Sequence, residues 1–129
     1  MSTWPRPTQP EVARFVRLIG APATFALVDT LGGTALYLPR RLDPRSRIVE
    51  VVGTAAAQAL CGEYGGNELR VPLARDWRIL VHRRNGLAYP AIALAVGCTE
   101  STVWRTLNRV GRTDLADDPL TTHQLNLFD

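Results

Sequence analysis

The sequence has no lysine: all 15 of its basic residues are arginine. It is poor in metal- and proton-handling side chains as well, with two cysteines and two histidines among 129 residues. Cys61 and Cys98 stand alone on apolar helix faces, so buried thiols are expected rather than a disulfide or metal ligands. No Cys/His spacing suits zinc. His82 is expected on an exposed helix face and His123 in a polar tail, both solvated. Ser101 has no histidine near it in sequence, and Asp117–Asp118 has no fixed partner to tune its acidity. The glycine patterns GxGxxG and GxxxxGK[ST] are absent, which removes the familiar phosphate loops. These absences imply a non-enzyme without metal or cofactor. No apolar run approaches the roughly 20 residues of a membrane span, and MSTWPRPTQP does not read as a secretion signal. A cytoplasmic protein is expected.

An apolar content of 46% supports a real core, and 21% charged residues keeps it in solution. At this length one compact domain with appendages is the default. The charge is unevenly placed. Residues 70–112 hold eight arginines against Asp76 and Glu100, whereas residues 113–129 hold four aspartates and no basic residue other than His123. A basic block followed by an acidic end is the footprint of a nucleic-acid binder with a separate tail.

Residues 1–10, with three prolines, are expected as a flexible arm. Glu11 to Ile19 and Pro22 to Leu31 show helical patterns, and Thr34 to Leu38 reads as a short strand ended by Pro39. Residues 40–47 form a basic loop. The framing then repeats: VRLIGAPATFALVDTLGGTALYLP at 16–39 and VEVVGTAAAQALCGEYGGNELRVP at 49–72 align without a gap at an offset of 33. Gly20/Gly53, Gly32/Gly65, Gly33/Gly66, Leu36/Leu69 and Pro39/Pro72 are identical pairs. Two copies are too few for a solenoid. A pseudo-symmetric pair is expected, each copy a helix, a Gly-Gly corner and a strand. The strands must pair, with each other or with those of a second chain; a two-fold homodimer is the favoured expectation.

Leu73 to Arg84 is a further helix, with Trp77, Leu80 and Val81 inward and Arg75, Arg78 and Arg83 outward. Asn85-Gly86 breaks it. Leu87 to Val110, LAYPAIALAVGCTESTVWRTLNRV, then reads as two helices and a tight turn. Gly97 stops the first and Thr99 can cap the second. Ala93 is small enough for a close crossing, and Val103 supplies the branched plug. The opposite face carries Ser101, Arg105, Asn108 and Arg112, residue types that contact base edges and phosphates. The stretch looks like a helix-turn-helix that binds double-stranded DNA. Its candidate DNA contacts are Thr99, Ser101, Arg105, Asn108, Arg109 and Arg112, with Arg83 and Arg84 reaching phosphates from the preceding helix. Trp77 and Trp104 are expected to pack inside, and Tyr37 to be half-buried on its strand.

YGGNELRVP at 64–72, the arginine-bearing helix and the stretch 87–109 together resemble the Mor/C family of middle-operon activators of Mu-like phages. The resemblance covers about residues 46–110. It implies a dimer whose helix-turn-helix units enter successive major grooves, with a strand ribbon turned toward the minor groove. On that resemblance Gly65 and Gly66 become a hinge, Leu69, Arg70 and Val71 the ribbon, and Ser101, Arg105 and Asn108 base-facing. A bacterial, nucleoid-associated location follows. The upstream second copy of the Gly-Gly/strand/proline unit departs from the family pattern.

The chain ends QLNLFD. Gln124, Leu125, Asn126, Leu127 and Phe128 resemble the pentapeptide with which bacterial polymerases and repair factors bind the DNA sliding clamp, the polymerase β subunit. Such a site needs an extended peptide with two adjacent apolar plugs and a glutamine anchor. The expected organisation is a flexible arm at 1–10, a duplicated helix-strand region at 11–72, a helix-turn-helix domain at 73–112 and an acidic tail at 113–129. The fold class is mainly α with short β-strands.

Overall fold

The computed structural model describes residues 4–116, with side chains through residue 109. Among them are seven helices and two strands: α1 (Pro10–Ile19), α2 (Ala21–Leu31), β1 (Ala35–Leu38), α3 (Arg47–Val52), α4 (Thr54–Tyr64), β2 (Asn67–Arg70), α5 (Arg75–Arg84), α6 (Tyr89–Val96) and α7 (Glu100–Ala116). The fold is mainly helical with short strands, as the sequence implies. Its residues gather in two compact units, one spanning Gln9–Ala74 and the other joining residues 4–8 to the chain from Arg75 onward.

The loose N-terminal arm is corrected from Trp4 on. Its ring packs against Trp77 with centroids 6.3 Å apart, and the Trp77 Nε1–H donates to the Pro5 carbonyl at 2.9 Å. A buried indole N–H needs an acceptor. The prolines that suggested a loose arm preset an extended backbone, which lowers the entropy lost on laying it down.

Within the unit Gln9–Ala74 the sequence repeat is also a structural repeat. α1 meets α2 at Gly20 (φ 87°, ψ 160°), and α3 meets α4 at Gly53 (φ 90°, ψ 164°). Each Gly-Gly corner then turns the chain into its strand. Its second glycine lies at positive φ, 84° at Gly33 and 86° at Gly66, where a side chain is strained. β1 and β2 pair antiparallel with Leu36 opposite Leu69. Those two leucines are repeat mates, so the pseudo-two-fold axis passes through their pair. Both ends of the ribbon close alike: the Gly33 N–H donates to Val71 O at 2.9 Å, and the Gly66 N–H to Leu38 O at 2.7 Å.

The buried positions repeat at the same offset. Phe15 and Ile48, Thr24 and Ala57, Leu27 and Leu60, Val28 and Cys61, and Leu38 and Val71 are all buried. α4 packs on both strands and on α1, whose Phe15 ring meets Tyr64 at 5.9 Å. Each copy alone is a helix pair and one strand, too little to enclose a core. Pairing the copies satisfies the strand backbones and covers the apolar faces together.

The ribbon is thus complete within one chain, which decides the open alternative of pairing within or between chains. The homodimer expected from strand pairing loses that ground. The ribbon also starts earlier than Leu69: β2 spans Asn67–Arg70, and Val71 lies just past it while still donating to Thr34 O at 2.8 Å. Tyr37 is 65% exposed rather than half-buried, because strand alternation puts it opposite the face that buries Leu38.

Candidate nucleic-acid interface

α5, α6 and α7 pack pairwise, and α5 begins at Arg75, two residues later than its periodicity suggests. Ile79, Leu80, Ile92, Ala93, Val96, Val103 and Leu107 form their core, with Leu87, Tyr89 and Cys98 against it. Ala93 and Val103 hold the expected roles of small crossing residue and plug. Cys61 is buried as expected, whereas Cys98 is only partly buried.

The turn between α6 and α7 is built by three local devices. Gly97 caps α6 in the left-handed region (φ 82°, ψ 43°), its N–H donating to Ala93 O at 2.8 Å. The Cys98 N–H donates to the same carbonyl at 3.0 Å. Thr99 caps α7, its Oγ1 accepting from the Thr102 N–H at 3.1 Å. A contact to DNA from Thr99 therefore comes from a hydroxyl already engaged at the helix head.

Two α5 side chains lie elsewhere than the sequence suggests. Arg78 is buried, not outward, and its Nη2 donates to the Ala95 carbonyl at 3.1 Å. Ala95 is in the last turn of α6, where carbonyls lack helical partners and the helix dipole favours a cation. Arg78 thereby ties α5 to the end of α6 just before the turn. His82 is buried rather than solvated. α5 buries six consecutive residues, Trp77 to His82; a central helix enclosed all round has no one-sided pattern to betray which polar residues go inside.

Arg83 is exposed but braces the α5–α6 connection. Its Nη1 donates to Leu87 O at 3.1 Å, and its guanidinium lies 5.1 Å from the Tyr89 ring centre. Arg84 is exposed. On α7, Ser101 and Arg105 are exposed and Asn108 is half-buried, all on the side opposite Val103 and Leu107. The Arg105 Nε donates to Ser101 O at 3.4 Å, and the Asn108 Nδ2 to Trp104 O at 3.0 Å. Both polar groups thus lie along the helix surface, from which a guanidinium or amide can swing toward a base edge. Arg109 pairs with Asp76 at 3.1 Å, an exposed bridge that fixes the α7 flank against α5. The Arg112 side chain lies outside the described residues.

Trp104 was expected to pack inside and does not: it is 51% exposed. Only one edge of its ring can meet the core, because it lies about 100° around the helix from Val103. Among the described residues no cluster of three or more His, Cys, Asp or Glu gathers to hold a metal. No helix among them is long and apolar enough to cross a membrane. The pentapeptide Gln124 to Phe128 lies outside the described residues.

These three helices, with a glycine turn, a plug and an exposed polar face on the last, form a helix-turn-helix domain. Residues 74–116 match the family model of the homeodomain-like domain. No curated protein and no solved structure matches the chain.

Proposed function

We propose that the protein binds duplex DNA by laying α7 in the major groove, as a regulator of phage or mobile-element type. The observation that carries this reading is the exposed Ser101–Arg105–Asn108 face on the last helix of the homeodomain-like unit. The surrounding excess of arginine supplies the non-specific attraction to phosphate. The Gly-Gly corner, the strand ended by proline and the helix-turn-helix support a regulator of Mor/C type, from which the upstream copy departs.

Full-length protein titrated with a duplex pool of random sequence, over a series of salt concentrations, tests the reading. Affinity should fall steeply as salt rises. Arg105→Ala should cost about 1–3 kcal/mol on an enriched site if it reads a base. Arg84→Ala should weaken binding evenly across sequences and reduce the salt slope by about 1. Binding that is absent or insensitive to salt overturns the proposal.

The C-terminal peptide supports a second partner. Gln124-Leu125-Asn126-Leu127-Phe128 meets every position of the sliding-clamp pentapeptide, so we infer that the protein docks on the bacterial clamp while its body holds DNA. Leu127 and Phe128 are the apolar anchors. Full-length protein should capture purified clamp, and Leu127→Ala/Phe128→Ala should weaken capture by about tenfold or more. Equal capture by both proteins removes the clamp and leaves the DNA-binding regulator alone.

A further inference from the structure

We propose that Trp104 is a specificity-determining residue of α7 that reads thymine through its 5-methyl group; this rests on the DNA-binding reading above. Ser101, Trp104, Arg105 and Asn108 are spaced i, i+3, i+4 and i+7. In an α-helix these four lie within a sector about 100° wide, with Trp104 at one edge and Arg105 at the other. Homeodomain recognition helices contact base edges with side chains at that same spacing. Three of the four positions here carry polar groups. The second carries the largest apolar side chain there is, and half of its surface is open.

An exposed indole needs a reason, because covering it stabilises a folded chain. A protein-docking patch would continue into apolar neighbours. On α7 the exposed residues beside Trp104 are Glu100, Ser101, Arg105 and Arg109, so the apolar surface on this helix ends with the indole. A single apolar plate among hydrogen-bonding side chains is instead the pattern of a base-reading helix. Only one group in the major groove is apolar, the thymine methyl, and apolar side chains recognise it by contact. The backbone beneath is held: the Trp104 carbonyl accepts from Asn108 Nδ2 at 3.0 Å. Contact at Trp104 and hydrogen bonding from Asn108 would therefore fall on neighbouring positions of one site.

The test enriches a random-centre duplex pool on the full-length protein, then remakes the enriched duplex with deoxyuridine replacing thymidine at one position at a time. Deoxyuridine removes the methyl and leaves every hydrogen-bonding group in place. Wild-type protein should lose about three- to tenfold in affinity at one or two positions, the worth of burying about one methyl group. Trp104→Ala should bind thymidine and deoxyuridine duplexes equally, and Trp104→Phe should keep part of the discrimination. Far-UV circular dichroism checks that the variants fold, which a half-exposed position permits. Discrimination that persists in Trp104→Ala overturns the proposal, as does an enriched site without thymine or a wild type indifferent to the methyl. Loss of affinity in Trp104→Ala without any methyl effect also overturns it, by placing the indole on the sugar-phosphate edge. Failure of the protein to bind any duplex overturns this inference together with the DNA-binding reading, whereas binding without methyl discrimination overturns this inference alone.

Discussion

Trp77→Ala should destabilise the α5–α7 unit by about 3–5 kcal/mol, the usual cost of truncating a large buried aromatic residue. Its side chain is fully buried. The truncation removes the surface on which Trp4 packs and the donor that satisfies the Pro5 carbonyl. Both losses fall on the N-terminal segment, so residues 4–8 should come free in the same variant. Trp77→Phe separates the two effects. It keeps most of the apolar contact and removes the donor, at a cost of about 1–3 kcal/mol for the unpaired acceptor. Urea unfolding gives the stabilities, and limited proteolysis followed by mass spectrometry reports the freed segment. A wild-type unfolding midpoint in Trp77→Ala, with protection unchanged near Pro5, would contradict this packing.

The second large effect is expected at the ribbon corners. A Cβ on Gly65 would stand 2.2 Å from Cys61 O, 3.0 Å from Arg40 Cα and 3.2 Å from Pro39 O. On Gly32 it would stand 2.3 Å from Val28 O, 3.2 Å from Pro72 O and 3.3 Å from Leu73 O. All six obstacles are backbone atoms, so no rotamer change relieves them. The backbone angles are ordinary (φ −56° and −54°), which makes the cost steric rather than conformational. Each alanine should destabilise by about 1–3 kcal/mol, as overpacking does. The corners close opposite ends of the ribbon, so Gly32→Ala/Gly65→Ala should cost about the sum. Gly62 provides the contrast. A Cβ there meets nothing within 4 Å, and the residue is inside α4. Gly62→Ala should stabilise by about 0.5–1 kcal/mol through helix propensity. Thermal unfolding by circular dichroism ranks the three. If the corner variants melt with wild type, Gly65–Gly66 is a yielding hinge rather than a closely packed corner.

What could be read from the sequence was whatever is encoded locally or by self-similarity. The gapless offset of 33 implied a paired architecture, and Gly97, Thr99, Ala93 and Val103 each carry a short-range signal for the turn. Which chain supplies the partner strand was not legible, because the two pairings satisfy the same backbone groups. Arg78 and His82 were misplaced for another reason. A helix covered on all sides has no apolar stripe, and the acceptor for Arg78 is a backbone carbonyl 17 residues away that leaves no mark in composition. The docking of Trp4 and Pro5 on Trp77 spans 72 residues and is invisible to any local pattern. In the candidate interface, Ser101, Arg105 and Asn108 were recognisable from helical spacing, whereas the exposure of Trp104 required the packed neighbours to be known.

Leu36 facing Leu69 inside one polypeptide has a consequence for how the protein responds to dilution. A ribbon shared between two chains is a bimolecular contact that comes apart when copies are scarce. The same ribbon inside one chain is held at the effective concentration set by its own connecting segment, on the order of millimolar for short flexible tethers. It survives at a single molecule per cell. Fusion also breaks the stoichiometry of a symmetric regulator, since the second copy is followed by α5–α7 and the first by the loop leading to α3. A platform with two-fold framing therefore carries a single reading head.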